Sequence, residues 1–149
     1  MSITQSLVTS FKVEILDGIH NFGVGVVRGS TAADTFNIAL YTASATLDST
    51  TTAYSATNEV VGTGYVAGGN TLVISQVPTS TGTTAFLDFS DSSWTTSTIT
   101  ARGALIYNST QSNKAVAVLD FGGDKVTTAQ TFTVVFPSST SSTAIVRIA

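Results

Sequence analysis

Near the N-terminus the apolar residues Leu7, Phe11, Ile15 and Ile19 recur every four positions, flanked by Val8 and Leu16. That spacing lays a stripe along one side of an α-helix. It predicts a helix of about four turns over Ile3 to Ile19, within residues 1–20, with Thr4 as N-cap and Gly18 just past the C-terminal end. The β-branched Val8, Val13 and Ile15 lower helix propensity, so the same stretch also suits an extended arm or a strand beginning near Phe11.

Beyond Gly29 the pattern shortens to alternating runs bounded by Gly, Asn, Asp, Ser and Thr, the signature of strands and their connections. Phe36, Ile38 and Leu40 alternate with Asn37, Ala39 and Tyr41, and Phe132, Val134 and Phe136 alternate with threonines. Further strands are predicted over Thr71 to Val77, Thr84 to Phe89, Ala101 to Tyr107, Ala115 to Phe121, Gln130 to Phe136 and Ala144 to Ile148. Gly23 to Arg28 is a possible addition, which gives seven or eight strands. Many short strands without helical crossovers predict a mainly β, single domain over residues 1–149, a jelly-roll-like fold or β-sandwich with one N-terminal helix.

One pairing is specified in more detail. If Asn108 faces Lys114 across the polar loop between them, Ile106 faces Val116, Ala104 faces Val118, and Arg102 faces Asp120 as a cross-strand ion pair. The glycines of Gly122-Gly123-Asp124-Lys125 then read as a turn.

Residues 42–70 break the pattern. They are rich in Ser, Thr, Ala and Gly, hold only Asp48 and Glu59 as charges, and have no sustained period. A connection of this length inside one domain reads as a functional arm ordered by a neighbour, or equally as hiding a short strand or turn over Asn58 to Val66 that packs on the domain's own sheet. Tyr54 and Tyr65 are its candidate interface anchors, because aromatics in an uncharged loop are what protein contacts favour.

Composition narrows the chemistry. Charged residues are 10% of the chain, Ser and Thr roughly a third, and the hydrophobic share is 42%, which is incompatible with wholesale disorder. A net charge of −3 with six scattered basic residues lacks the cationic footprint of a nucleic-acid binder. No apolar run approaches the length of a membrane span, and no signal peptide is expected. With no cysteine and His20 as the one histidine, neither a zinc site nor a thiol nucleophile can be assembled, and His20 reads as structural or exposed. Gly62 to Gly69 lacks the spacing of a dinucleotide loop. The pairs Asp88 with Asp91 and Asp120 with Asp124 suit turns better than catalysis or calcium. No enzyme activity, metal or cofactor is expected.

Two segments carry a resemblance. One runs from Phe36-Asn-Ile-Ala-Leu-Tyr-Thr-Ala-Ser-Ala-Thr-Leu-Asp48 through Tyr54, Asn58-Glu-Val60 and Gly62-Thr-Gly-Tyr65 to Ala67-Gly-Gly69. The other is Thr100 to Asn108 followed by Asn113-Lys-Ala-Val-Ala-Val-Leu-Asp-Phe-Gly-Gly-Asp-Lys125. Together with Gly18-Ile-His-Asn-Phe22, they resemble small virion proteins of tailed bacteriophages, and among these the capsid decoration, or cement, proteins. The resemblance implies a non-catalytic protein on the capsid exterior, bound to the major capsid protein; self-association as a dimer or trimer is expected because an isolated sandwich must manage its edge strands. A tail, neck or fibre component and a carbohydrate-binding module using Trp94 and Tyr65 are the other readings.

Overall fold

The computed structural model describes residues 1–16, 18–25 and 33–149. The chain is mainly β, with two antiparallel sheets stacked as a β-sandwich. The larger sheet contains β1 (Ser6–Leu7), β7 (Lys114–Val134), β6 (Ser92–Asn108), β2 (Phe36–Tyr41) and β3 (Asn70–Thr71), in that order. The smaller contains β4 (Ile74–Thr81), β5 (Thr84–Phe89) and β8 (Val146–Ile148). Phe36 of β2 and Phe89 of β5 meet across the sandwich at 6.1 Å between ring centres, and Phe22 stacks on Phe36 at 4.2 Å. The possible strand at Gly23 to Arg28 lies partly outside the described residues.

The N-terminal helix is shorter than the apolar stripe predicts. α1 covers Thr9–Leu16, and Gly18 follows it with φ 68°, its amide donating to the Ile15 carbonyl, as expected of a residue past the end. Residues 3–8 are extended instead, and Thr4 does not cap. Its amide donates to the Leu47 carbonyl, Ile3 bridges Leu47, and β1 pairs with β7 at Ala117 and Val118. A spacing of four fits a helix face, but tertiary pairing overrides it here because β7 offers an open edge to the segment.

β6 and β7 form one long hairpin. The predicted pairing of Asn108 with Lys114 is present, and then Val116 enters as an extra residue and shifts the register by one, so Ile106 faces Ala117 and Gly103 faces Asp120. Arg102 still reaches Asp120 diagonally, with Nε 3.5 Å from Oδ1, a contact worth less than about 1 kcal/mol at this half-exposed position. The expected glycine turn is instead a bulge inside β7, which continues through it. Gly122 has φ 72° and residues 121–124 bulge out opposite the single residue Arg102, after which pairing resumes at Lys125.

Alternation along β2 sends Phe36, Ile38 and Leu40 to the face that meets the small sheet, and Ala39 and Tyr41 to the other. All five are essentially fully buried, so this part of the large sheet is covered on both sides. The second cover is the segment 42–69.

Candidate functional site

Segment 42–69 folds onto its own domain. It contains no regular strand, only isolated bridges of Leu47 to Ile3, Glu59 to Tyr41, Ala53 to Lys114 and Thr63 to Thr98, and it ends by feeding β3 against β2. Of the two readings of this stretch, packing on the domain's own sheet is what the structure describes.

Backbone meets backbone along it. A Cβ on Gly62 would lie 2.2 Å from the Thr98 carbonyl oxygen, and one on Gly69 would lie 1.8 Å from that of Ile38. These glycines are therefore contact residues that let a loop lie flat on a sheet, which is the structural meaning of the glycine-rich run from 62 to 69.

At the centre of the arm the protein's four tyrosines gather around one carboxylate. Glu59 is 6% exposed. Tyr65 donates its hydroxyl to Oε1 at 2.6 Å, Tyr54 donates to Oε2 at 2.7 Å, and the Gly68 amide donates to Oε1 at 2.7 Å. Tyr65 also accepts from the Leu40 amide at 2.9 Å, which ties the cluster to β2. Tyr107 of β6 stacks on Tyr54 at 4.7 Å and donates to the Gly68 carbonyl at 2.8 Å, while Tyr41 donates to the Ser55 carbonyl at 2.6 Å. Three charge-assisted or neutral donors on the carboxylate, rather than a cation, satisfy its charge among the described residues.

The electrostatics follow from this arrangement. Burial, and then the neighbouring Glu59 charge, disfavour tyrosinate: Tyr54 is pushed up to about 12, and Tyr41, Tyr65 and Tyr107 also rise above the usual value. A phenol whose pKa is higher folded than unfolded contributes stability below pH 10 that is lost as pH climbs through the raised values. A spectroscopic titration is accordingly expected to find no tyrosine ionising near pH 10, and then a cooperative, late rise in tyrosinate absorbance as the arm opens. Independent ionisation near pH 10 would contradict the cluster.

Tyr54 and Tyr65, the predicted anchors, are thus half-buried with their hydroxyls turned inward. The outer side of the arm carries other apolar groups: Val61 and Val66 are 95% and 76% exposed, and Val73 just beyond β3 is 64% exposed. In the first half of the arm a cleft of about 500 Å³ opens among Tyr41, Leu47, Asp48, Thr50, Ser55 and Asn58. Asp48 there accepts from the Thr50 hydroxyl and amide, which lowers its pKa.

The remaining candidates lie elsewhere and apart. Trp94 is 4% exposed, between Phe132 and Tyr65, so its face is not open for sugar stacking. His20 is half-buried against Phe11, and its Nδ1 lies 3.0 Å from Asn108 Nδ2. The Asn108 oxygen accepts from the Thr110 and Gln111 amides, which fixes its amino group as the donor and makes Nδ1 an acceptor. The same amino group donates to Asp34 at 2.8 Å, a buried polar network that ties the N-terminal segment to the end of β6. Among the described residues no group of three His, Asp or Glu gathers to hold a metal.

Asp88 is the unexpected member. It is 1% exposed, its Oδ1 accepts from the Phe89 amide, and the Ile145 backbone is the other donor near the carboxylate, whose Oδ2 lacks a well-aligned hydrogen bond. Burial raises its pKa, and the nearby Asp91 charge adds to the rise. Since the folded value lies above the unfolded one, this residue stabilises the fold fully only below the ordinary carboxylate range, and the contribution is lost as pH rises through the raised pKa. Asp88→Asn is expected to raise the denaturation midpoint at neutral pH and leave it nearly unchanged in acid. A loss of stability at neutral pH would contradict this assignment.

Comparison with protein families, with curated proteins and with solved structures finds no match to this chain.

Proposed function

We propose that this chain is a virion structural protein of a tailed bacteriophage, a decoration or cement protein that binds the major capsid protein on the outside of the shell and stabilises it without catalysis. The observation that carries the reading is the arm: a loop held rigidly on the sheet by Glu59 and the tyrosines, with Val61 and Val66 turned outward. A cement protein needs a stiff platform that repeats one modest contact many times over a lattice, and summed weak contacts then hold firmly. Hydroxyl and main-chain groups around the valines supply the polar rim of such a contact.

The sparse charge suits a partner that is protein rather than nucleic acid, and no helix among the described residues is long and apolar enough to cross a membrane. Self-association as a dimer or trimer belongs to the same proposal. A tail, neck or fibre position would use the same domain at a lower copy number. The burial of Trp94 disfavours a glycan platform built on it.

The test is co-sedimentation of the purified protein with shells of the major capsid protein. Retention is expected for the wild type and should weaken roughly tenfold or more in Val61→Asp and Val66→Asp, since a carboxylate placed in a protein contact must be desolvated without a partner. Their melting should not change, because both side chains are exposed. Failure of the wild type to bind shells would overturn the proposal, and unimpaired binding by both variants would remove the arm from the contact.

A further inference from the structure

Every sheet here has to manage its edges, and all but one do so visibly. β1 and β3 are two residues long, β8 is three, and β4 carries Pro78 and register shifts. β7 is the exception. β1 covers it only at Ala117 and Val118, and from Phe121 to Val134 no other strand among the described residues lies on the side away from β6.

The devices that usually blunt an exposed edge are missing from its last part. There is no charged residue between Lys125 and Arg147, and none in the facing strand between Asp91 and Arg102. Bulges flank the stretch without breaking it. The extra residues lie at Thr96 of β6 and Ala129 of β7, both with positive φ, so β7 runs regularly from Gln130 to Val134. A groove of about 410 Å³ follows this edge, lined by Phe121, Val126, Thr131, Phe132 and Val135, with Lys125 as its one charged residue. Val126 and Val135 are 65% and 70% exposed at its ends.

We propose that this edge pairs with the same edge of a second copy, joining two large sheets across a twofold axis at Phe132. The sequence is self-complementary there. Antiparallel pairing about Phe132 sets Thr131 of each copy opposite Thr133 of the other, continuing outward the hydroxyl contact that Thr133 already makes with Ser93 at 2.8 Å. It sets no charge against a like charge, fills otherwise unpaired backbone donors and acceptors, and brings the exposed valines to the rim. The pairing rests on the proposed function only in giving its self-association a surface; a monomer would remove that element and leave binding to the major capsid protein to its own test.

Solution mass decides it. The wild type is expected to exceed the 15.3 kDa monomer and approach twice that mass as concentration rises, with hydrogen-exchange protection gained at residues 130–134 alone. Thr131→Lys with Thr133→Lys puts like charges opposite one another twice and should weaken the dimer roughly tenfold, whereas Thr131→Lys with Thr133→Glu pairs opposite charges and should restore it. Both double variants lose the same Ser93 contact, so a difference between them reports the interface and not the fold. Monomeric mass at every concentration, or equal effects of the two variants, would overturn the proposal, and the wild-type measurement stands even if a variant fails to fold.

Discussion

Gly69→Ala is expected to destabilise the protein by about 3 kcal/mol or more, combining a left-handed backbone with a collision that cannot be relieved by a side chain. The Cβ would lie 1.8 Å from the Ile38 carbonyl oxygen and 2.7 Å from its carbon, both backbone atoms of a fully buried residue. Either β2 moves or the arm lifts, and lifting the arm uncovers Tyr41 and Ala39. Gly122→Ala is the control. It has the same φ of +72° but nothing within 4 Å of the added carbon, so only the conformational cost remains, about 1 kcal/mol. Denaturant midpoints with unchanged slopes would give the comparison. Equal losses at the two positions would mean that the arm does not lie on β2 as described.

Glu59→Ala should cost a similar amount, about 3 kcal/mol, because it strands the Tyr54 and Tyr65 hydroxyls and the Gly68 amide while leaving a void beneath the arm. Glu59→Gln should be milder. Its oxygen can accept from one donor set, and a tyrosine hydroxyl can turn to accept from its amino group. The discriminating readout is local. Hydrogen exchange should accelerate across 54–69 in Glu59→Ala more than in β5, which belongs to the other sheet. Uniform acceleration over the whole chain would mean that the arm and the sandwich unfold as one unit. No acceleration would place Glu59 outside the stabilising network.

Much of the sandwich was legible from apolar alternation, and particular elements show where that stops. β2 and β5 fall at Phe36–Tyr41 and Thr84–Phe89 as predicted, because their buried positions are apolar apart from Asp88. The first half of β6 was invisible for the opposite reason. Its buried positions include Ser92 and Ser97, and Ser97 is satisfied by the Gln130 carbonyl and the Thr127 hydroxyl rather than by burial of carbon. Residues 3–8 carried a helical spacing but met an open strand edge, and pairing prevailed. Tyr54 and Tyr65 stand out within the arm as candidate interface anchors, whereas the structure turns their hydroxyls inward onto Glu59, a partner the sequence reading does not name. A lone Glu59 in an otherwise nearly uncharged stretch that also holds tyrosines was the available signal, since an isolated acid among apolar neighbours needs donors nearby. The run from Gly62 to Gly69 shows in sequence only that it lacks dinucleotide-loop spacing, and the fold alone reveals what these glycines touch.

The proposal that this is a cement protein is tested most directly by the copy number and position of the chain in purified virions, measured against the major capsid protein and by imaging the particle surface. The account predicts copies in fixed proportion to the capsid subunits, spread over the outside of the shell with the arm's valines against it. A few copies confined to one vertex or to the tail, or none in the particle, would contradict it.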